Sequence, residues 1–365
     1  MKIVIPVDQT AAAGIGTVAK QLIHDIPPLL RPGEALVLVG SLHADLVQHP
    51  RVRHIELSGP APKTYGRATT KMYKIAREQW SIARAGRGAD VVQMLDNRPP
   101  LLSRSPFVII VHDVSYLDHP EWYPRSVSTY KRHMLTAALR RGPGAVVCDS
   151  NFTLDRLLAH HGARLASIPV RVIRPNLPPP PQGTTSVQEP DYMLTVSTIE
   201  PRKNHLTLLT ATRGAREAGT AIRWKIVGRS GYESEPIVQQ LKRERCVEVL
   251  GAVTDAELER LYRGATFVAC PSYEEGFGFP PLEAMARGIP VVCSGGSAFD
   301  ENVEQAGLRV EASDSEGWTQ AIVAMTTDRA LRERYRRAGL ERATDFISTS
   351  AARAYVDLYR EIAHG

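Results

Sequence analysis

Two carboxylates in the stretch YEEGFGFPPLEAMARG, Glu275 and Glu283, stand eight positions apart with two glycines and two prolines between them. That composition does not carry a regular helix from one acid to the other. An ionised carboxylate accepts hydrogen bonds on both oxygens, which suits the vicinal hydroxyls of a ribose or a pyranose. Between the acids, Gly276-Phe277-Gly278 leads into Pro280-Pro281 and the run LEAMARG. Proline favours the first turn of a helix, and free amides there, with the helix dipole, hold phosphate oxygens. Glu283 is expected in that first turn and Glu275 on the loop before it. A second cluster, Glu200-Pro201-Arg202-Lys203-Asn204, follows the run YMLTVST. A guanidinium next to an ammonium at a strand end suits a diphosphate. Each feature has a plainer reading: a solvated cation pair, an acid placed on a helix dipole, a surface acid at 275.

Such residues need strands and helix starts to hold them. KIVIPV (2–7), ALVLVG (35–40), VRHIEL (52–57), DVVQML (90–95), FVIIVHD (107–113) and AVVCDS (145–150) read as strands, with helical segments such as KMYKIAREQWSIARAG and STYKRHMLTAALRRG between several of them. The pattern resumes with YMLTVST (192–198), RWKIVG (223–228), VEVLG (247–251), TFVACPS (266–272) and PVVCSG (290–295). Buried runs alternating with helices predict parallel α/β sheets. Thr254 and Glu257 form a capping box before TDAELERLYRGA. The stretch NLPPPPQGTTSVQEP reads as a stiff linker. The expected organisation is therefore a domain over 1–176, a linker over 177–190, a second domain over 191–345 and a terminal helix over 346–365. Two facing domains of this kind bind ligands at strand carboxyl ends.

At 365 residues and 43% hydrophobic content the chain can build two cores without staples. Cys148, Cys246, Cys270 and Cys293 show no paired spacing, which argues against a zinc or disulfide framework and for a reducing compartment. No apolar run is long enough to span a bilayer, and MKIVIPV reads as a first strand, not a signal peptide. A cytoplasmic protein is expected. In the first half, Gly14-Ile15-Gly16 opens a helix after the first strand, but a dinucleotide fingerprint would need Ala19 and Glu34 as its remaining members. That leaves a NAD-dependent oxidoreductase weakly supported, against a plain turn or one touching a phosphate or sugar. The cations, net +6, lack a nucleic-acid module.

PSYEEGFGFPPLEAMARGIPVVCS resembles the signature of the retaining glycosyltransferases of family four, with its E-x7-E motif. VSTIEPRKNHLTLL, LGAVTDAELERLYRGA, GIGTVAKQL and CDSNFTLDRL resemble other blocks of that family in the same order. IIVHDVSYLDHPEWYP resembles a block of its mannosyltransferase-like and O-antigen-type members. The resemblance implies a GT-B fold: α/β, two facing Rossmann-like domains with parallel sheets and a central cleft, the C-terminal helix crossing back to the first. It further implies that Glu283 holds the ribose and that Glu275 contacts the donor sugar, near the amides of Phe277 and Gly278 and beside Gly276. Arg202 and Lys203 would neutralise the diphosphate, Val253 would read the base through its backbone, Gly14 and Gly16 would lie near the diphosphate, and His112 would contact the transferred sugar. On its own, a histidine at a strand end is as often simply hydrogen-bonded in place. Three departures stand out: Thr198 where many members carry arginine, Ala13 where some members have another glycine, and Asp300-Glu301-Asn302-Val303-Glu304, onto which no role is carried.

The implied reaction moves a hexose from a nucleotide-diphosphate sugar, GDP-mannose ahead of a UDP-sugar, to a glycan, lipid-linked or small-molecule acceptor. Retention by a front-face mechanism is expected, with Glu275 as covalent nucleophile the alternative. No D-x-D triplet is present, so neither a metal nor another cofactor is expected. A sugar-nucleotide epimerase and a non-enzymatic nucleotide-sugar binder are the competing functions. The segment 63–87 carries seven basic residues against one acid, with Lys71, Lys74 and Arg77 beside Tyr73 and Trp80, and Lys131, Arg132, Arg140 and Arg141 add to it. That pattern predicts peripheral contact with an anionic membrane, against a plain solvated helix.

Overall fold

The computed structural model describes residues 1–8, 13–41, 49–57, 67–181 and 192–364, without the side chains of 8, 13–15, 41, 67–72 and 74. Among these, β1 (Lys2–Asp8), β2 (Ala35–Ser41), β3 (Val52–Ile55), β4 (Val91–Gln93), β5 (Phe107–Val111), β6 (Ala145–Cys148) and β7 (Val170–Val172) form one sheet, in the order β3-β2-β1-β4-β5-β6-β7. A second sheet, from β8 (Tyr192–Val196), β9 (Arg223–Val227), β10 (Val247–Gly251), β11 (Phe267–Cys270), β12 (Val291–Ser294) and β13 (Leu308–Val310), runs β10-β9-β8-β11-β12-β13. Pairings within both sheets are parallel. The strand order reverses direction between β1 and β4 in one sheet and between β8 and β11 in the other. At such switch points the loops diverge and leave a crevice.

Both faces of each sheet are covered. Alternation sends Ile3 and Ile5 to one core cluster and Val4 to the cluster on the opposite face. The second sheet likewise divides Leu194, Val268 and Val291 from Met193, Phe267 and Val292. This two-sided burial is why the strands read as unbroken apolar runs. Two strands escaped the sequence reading. β7 and β13 are three residues long, half-buried, and carry an exposed arginine at the centre, Arg171 and Arg309. Short edge strands with a central charge give little apolar signal. All four cysteines are free and buried.

Thr254 caps the helix Asp255–Gly264, accepting from the Glu257 amide. Gly14 and Gly16 lie inside the helix Ala13–Asp25 that follows β1. Residues 182–190 of the proline-rich stretch fall outside the described residues.

The terminal helix Ser350–His364 packs on the first sheet, not on the second-sheet domain that precedes it. Tyr355 and Tyr359 enter the cluster with Ile3, Ile5 and Val108, and the Tyr359 hydroxyl donates to Gln93 Oε1 at 2.9 Å. Arg360 pairs with Glu34 at 2.9 Å. The hydrogen bond to Arg360 outweighs burial and holds Glu34 down to about 2. Glu34 is thus committed to Arg360, and the dinucleotide reading loses the acid it would need. Tyr359→Ala is expected to destabilise the first domain by about 3–5 kcal/mol through the cavity it leaves, measured by urea unfolding. An unchanged midpoint would show that the helix is not part of that core.

Candidate active site

The loops at the second sheet's switch point bring the cations and Glu275 together. After β8 the chain makes a 3-10 turn, Pro201–Lys203, stopped by Asn204 in a left-handed conformation at φ 55°. Asn204 tolerates that conformation, and its amide donates to the carbonyls of Pro271 at 3.0 Å and Ala312 at 2.7 Å. After β11, the loop 271–278 delivers Glu275. Its Oε1 lies 2.5 Å from Lys203 Nζ and 2.7 Å from Ser272 Oγ, and its Oε2 lies 3.3 Å from Arg202 Nη1. Arg202 also donates to the Glu274 carbonyl at 2.9 Å and to Glu200 at 3.1 Å. Burial pushes the Glu275 carboxyl up, but Lys203 and Arg202 win and hold it below the ordinary range. The acid is an ionised, fixed acceptor.

Glu283 sits elsewhere than expected. The helix starts at Phe279, so both prolines occupy its first turn, where their missing N–H groups cost nothing, and Glu283 falls in the second turn. Its Oε2 accepts from the Tyr262 hydroxyl at 2.7 Å, while Oε1 has no hydrogen-bond partner among the described residues. Burial raises its carboxyl. The amides of Gly276, Phe277 and Gly278 donate to no protein group among the described residues. Pro280 and Pro281 offer none, so these loop amides are the donors the region presents. Gly278 has φ 84°, and a Cβ there would lie 2.3 Å from Phe299. Val253 lies beyond the edge strand β10 and packs partly into the cluster that holds Tyr262.

The first domain reaches the same loop. A Cβ on Gly276 would sit 1.8 Å from the His112 carbonyl oxygen. Ser150 Oγ and Thr153 Oγ1 donate to the Gly276 carbonyl at 2.6 and 3.2 Å. His112, just after β5, has Nδ1 2.6 Å from Asp149 and Nε2 2.8 Å from the Leu95 carbonyl. Its ring is therefore held within its own domain.

Other residues escaped the sequence reading. Glu301, in the block left without a role, accepts from Asn151 Nδ2, the Phe152 amide and Arg174, joining the domains. Asp113 is bound by Ser115; burial opposes its charge, but Lys131 and Arg202 hold it at about 2. Lys131 was read only as part of a basic helix, and nothing in the local pattern pairs it with Asp113. Glu274 is buried beside Glu275, 3.9 Å from His119 Nε2. Burial and the charges of Asp118 and Asp113 raise it to about 7.

Residues 181–342 match the family model described as glycosyl transferases group 1. O-antigen chain mannosyltransferase B from Escherichia coli is 29% identical over 267 residues, 69% of this chain and 70% of that protein. Phosphatidyl-myo-inositol mannosyltransferase from Mycobacterium leprae is 34% identical over 167 residues, 45% of this chain and 44% of that protein. Sucrose-phosphate synthase from Thermosynechococcus elongatus superposes with a TM-score of 0.77 at 19% identity, over 99% of this chain and 98% of that one. The glycosyltransferase WaaG, involved in lipopolysaccharide biosynthesis, gives 0.72 at 13% identity, over 98% and 99%. The chain is a GT-B glycosyltransferase. Its α/β architecture, two parallel sheets each with a switch point, is that of the fold, and the site just described occupies the crevice of the second sheet.

One consequence can be measured in this GT-B enzyme without a substrate. Between about pH 4.5 and 7 the folded protein binds a proton at Glu274 that the unfolded chain releases, so stability falls as pH rises through that window. Glu274→Gln removes the buried charge. It should gain about 1–3 kcal/mol near pH 8 and little near pH 5. An equal gain at both pH values would mean that Glu274 is not held protonated.

Proposed function

We propose that this glycosyltransferase moves a mannose from GDP-mannose to a hydroxyl of a glycan or lipid-linked acceptor, with retention and without a metal. The observation that carries the reading is the Glu275 carboxylate fixed against Lys203 and Arg202 at the switch point. The mannosyltransferase relatives support mannose, and a GDP donor over a UDP-sugar follows from that. In this reading residues 1–176 take the acceptor, 191–345 take the donor, and 346–365 tie the two. Glu283 receives the ribose hydroxyls on its unbonded oxygen, and the backbone near Val253 meets the base. The amides of Phe277 and Gly278 with Arg202 and Lys203 meet the diphosphate and sugar, and Gly14 and Gly16 approach from β1.

The C1–O bond to the diphosphate breaks and the acceptor oxygen bonds C1 on the same face. The acceptor's proton passes to an oxygen of the departing phosphate. Negative charge builds on that phosphate, where two preorganised cations act most strongly. Glu275 orients the sugar hydroxyls.

Thermal shifts with GDP, UDP, TDP and ADP test the donor. At about 100 times Kd a bound nucleotide adds about 2.7 kcal/mol, so GDP should raise the midpoint most. A UDP preference overturns the donor assignment, and no shift with any of the four overturns the nucleotide site. Lys203→Ala should cut turnover by about 10²–10³. Glu275→Gln should do the same, with no sugar adduct on wild-type Glu275 by mass spectrometry; an adduct would make it a nucleophile.

A membrane-facing surface on the first domain also forms part of this reading. No helix among the described residues is long and apolar enough to cross a membrane. Trp80 is 61% exposed, beside Arg84, Arg87, Arg104 and Leu102 around a concavity of about 1100 Å³. Lys131 does not belong there: its ammonium lies 5.1 Å from the ring centres of Tyr116 and Tyr123. The side chains of Lys71 and Lys74 fall outside the described residues. Flotation with phosphatidylglycerol vesicles at low salt should carry the protein upward, and its failure to float removes the membrane surface from the reading.

A further inference from the structure

His112 meets two groups that only accept hydrogen bonds. Strand register puts them there. Val111 of β5 pairs with Cys148 of β6, so the next residues, His112 and Asp149, emerge side by side at the carboxyl edge. β4 lies on the other side of β5, and the chain leaving it presents the Leu95 carbonyl. A neutral imidazole has one N–H and one lone pair. With a carbonyl at 2.8 Å on Nε2 and a carboxylate at 2.6 Å on Nδ1, the neutral ring would leave one contact as lone pair against lone pair. The pair therefore holds one proton more than a neutral ring beside an ionised acid.

Asp149 has little else to do. Its side chain is 3% exposed, and Oδ1 is buried with no partner among the described residues. His112 is its one ion-pair partner among the described residues and offsets the cost of burying that carboxylate. Among the described residues no other ion pair or hydrogen bond engages the Asp149 carboxylate. Cys148 and, on the terminal helix, Tyr355 lie near Asp149, and burial keeps the thiol and the phenol neutral. Asp113, the next residue in the chain, adds a second negative charge near the ring, though Ser115, Lys131 and Arg202 also engage it. Burial works against a charged imidazole, but Asp149, the Leu95 carbonyl and Asp113 raise it to about 9.

We infer that Asp149 is a positioning residue that keeps His112 doubly protonated and fixed at the first domain's strand edge, so that the ring acts in transfer as a hydrogen-bond donor and never as the base. The inference rests on the proposed transfer reaction and adds a residue to it. A ring with both nitrogens protonated cannot take the acceptor's proton, which leaves that role to the departing phosphate. It offers the sugar a charged N–H, the one now given to the Leu95 carbonyl.

NMR titration of the histidine Cε1–H signals of the full chain tests the protonation directly and needs no substrate. The signal lost in His112→Gln should shift near pH 9 in the wild type, and near about 6.5 in Asp149→Asn. Asp149→Glu should restore much of the difference. A wild-type midpoint near 6.5 overturns the inference even if no variant folds, and so does an unmoved midpoint in Asp149→Asn. Sugar release from GDP-mannose tests the role. Wild type should be flat between about pH 6 and 8, while Asp149→Asn should lose about tenfold in kcat at pH 8 and recover towards pH 6, as the ring regains its proton, with KM little changed. Asp149→Asn with a shifted ring and a flat profile would make the pair structural only. If the wild type releases no sugar from any nucleotide sugar, the transfer reaction and the donor role both fall, while the titration still decides the ring's charge.

Discussion

Everything at the second sheet's edge is arranged around one buried carboxylate between two cations. Glu275 without Lys203 and Arg202 would be an uncompensated charge out of water, and would take up a proton instead. The cations need the acid as much: burial and the neighbouring Arg202 charge both pull Lys203 towards its neutral form. The cluster is stable only as a whole, so the loops that carry it are fixed together. Arg202 extends the constraint to Glu200 and the Glu274 carbonyl. In the proposed reaction an arriving diphosphate exchanges one anion for another at the same cations. That exchange releases Glu275 oxygens to sugar hydroxyls and requires little rearrangement of charge.

The same loop is where the two domains touch. Gly276 has no side chain, and none fits, because the His112 carbonyl occupies that space. The Gly276 carbonyl then takes hydrogen bonds from Ser150 and Thr153 at the start of a helix of the opposite domain. Glu301 accepts from the amide of Phe152 in the first turn of that helix, where a negative charge meets both the amides and the helix dipole. The loop that carries Glu275, the carbonyl of His112 and the domain contact are therefore one structure. A change in how the domains close must move Gly276 relative to His112, and with it Glu275.

The sheets were legible because two-sided burial writes itself into sequence as apolar runs; the strands bounding the site, β4, β5, β6, β8 and β11, were all found. β7 and β13 were not, since three residues with a central arginine look like loop. Cation pair and loop acid were legible as types at a spacing, and the structure does bring them together. Glu283 was placed in the first turn because the helix was read as starting at the prolines; it starts at Phe279, one residue earlier, which leaves Glu283 in the second turn. Glu301 and Asp149 could not be read at all. Each owes its place to a contact far away in sequence, 149 residues for Glu301 to Phe152 and 37 for Asp149 to His112. Local pattern holds no record of such pairs.

Charge shows the limit most clearly. A formal excess of +6 says how many cations exist, not where they face. Lys131 looked like part of a basic helix surface, yet it lies over Tyr116 and Tyr123 and faces Asp113. Arg156 is spent on Asp118, Arg287 on Glu259, and Arg342 on Glu304 and Asp345. Arg84, Arg87 and Arg104 are different: they are exposed, without an acid partner among the described residues, next to Trp80 and Leu102. They lie where the helix Arg67–Ala85 ends and where the chain enters β4 and β5, at the amino ends of strands whose carboxyl ends lead to Leu95 and His112. These three cations thus stand at the far end of the sheet from His112. If that end meets an anionic bilayer, the cleft opens away from it, and an acceptor must present its hydroxyl at a distance from the lipid surface, as an extended glycan does.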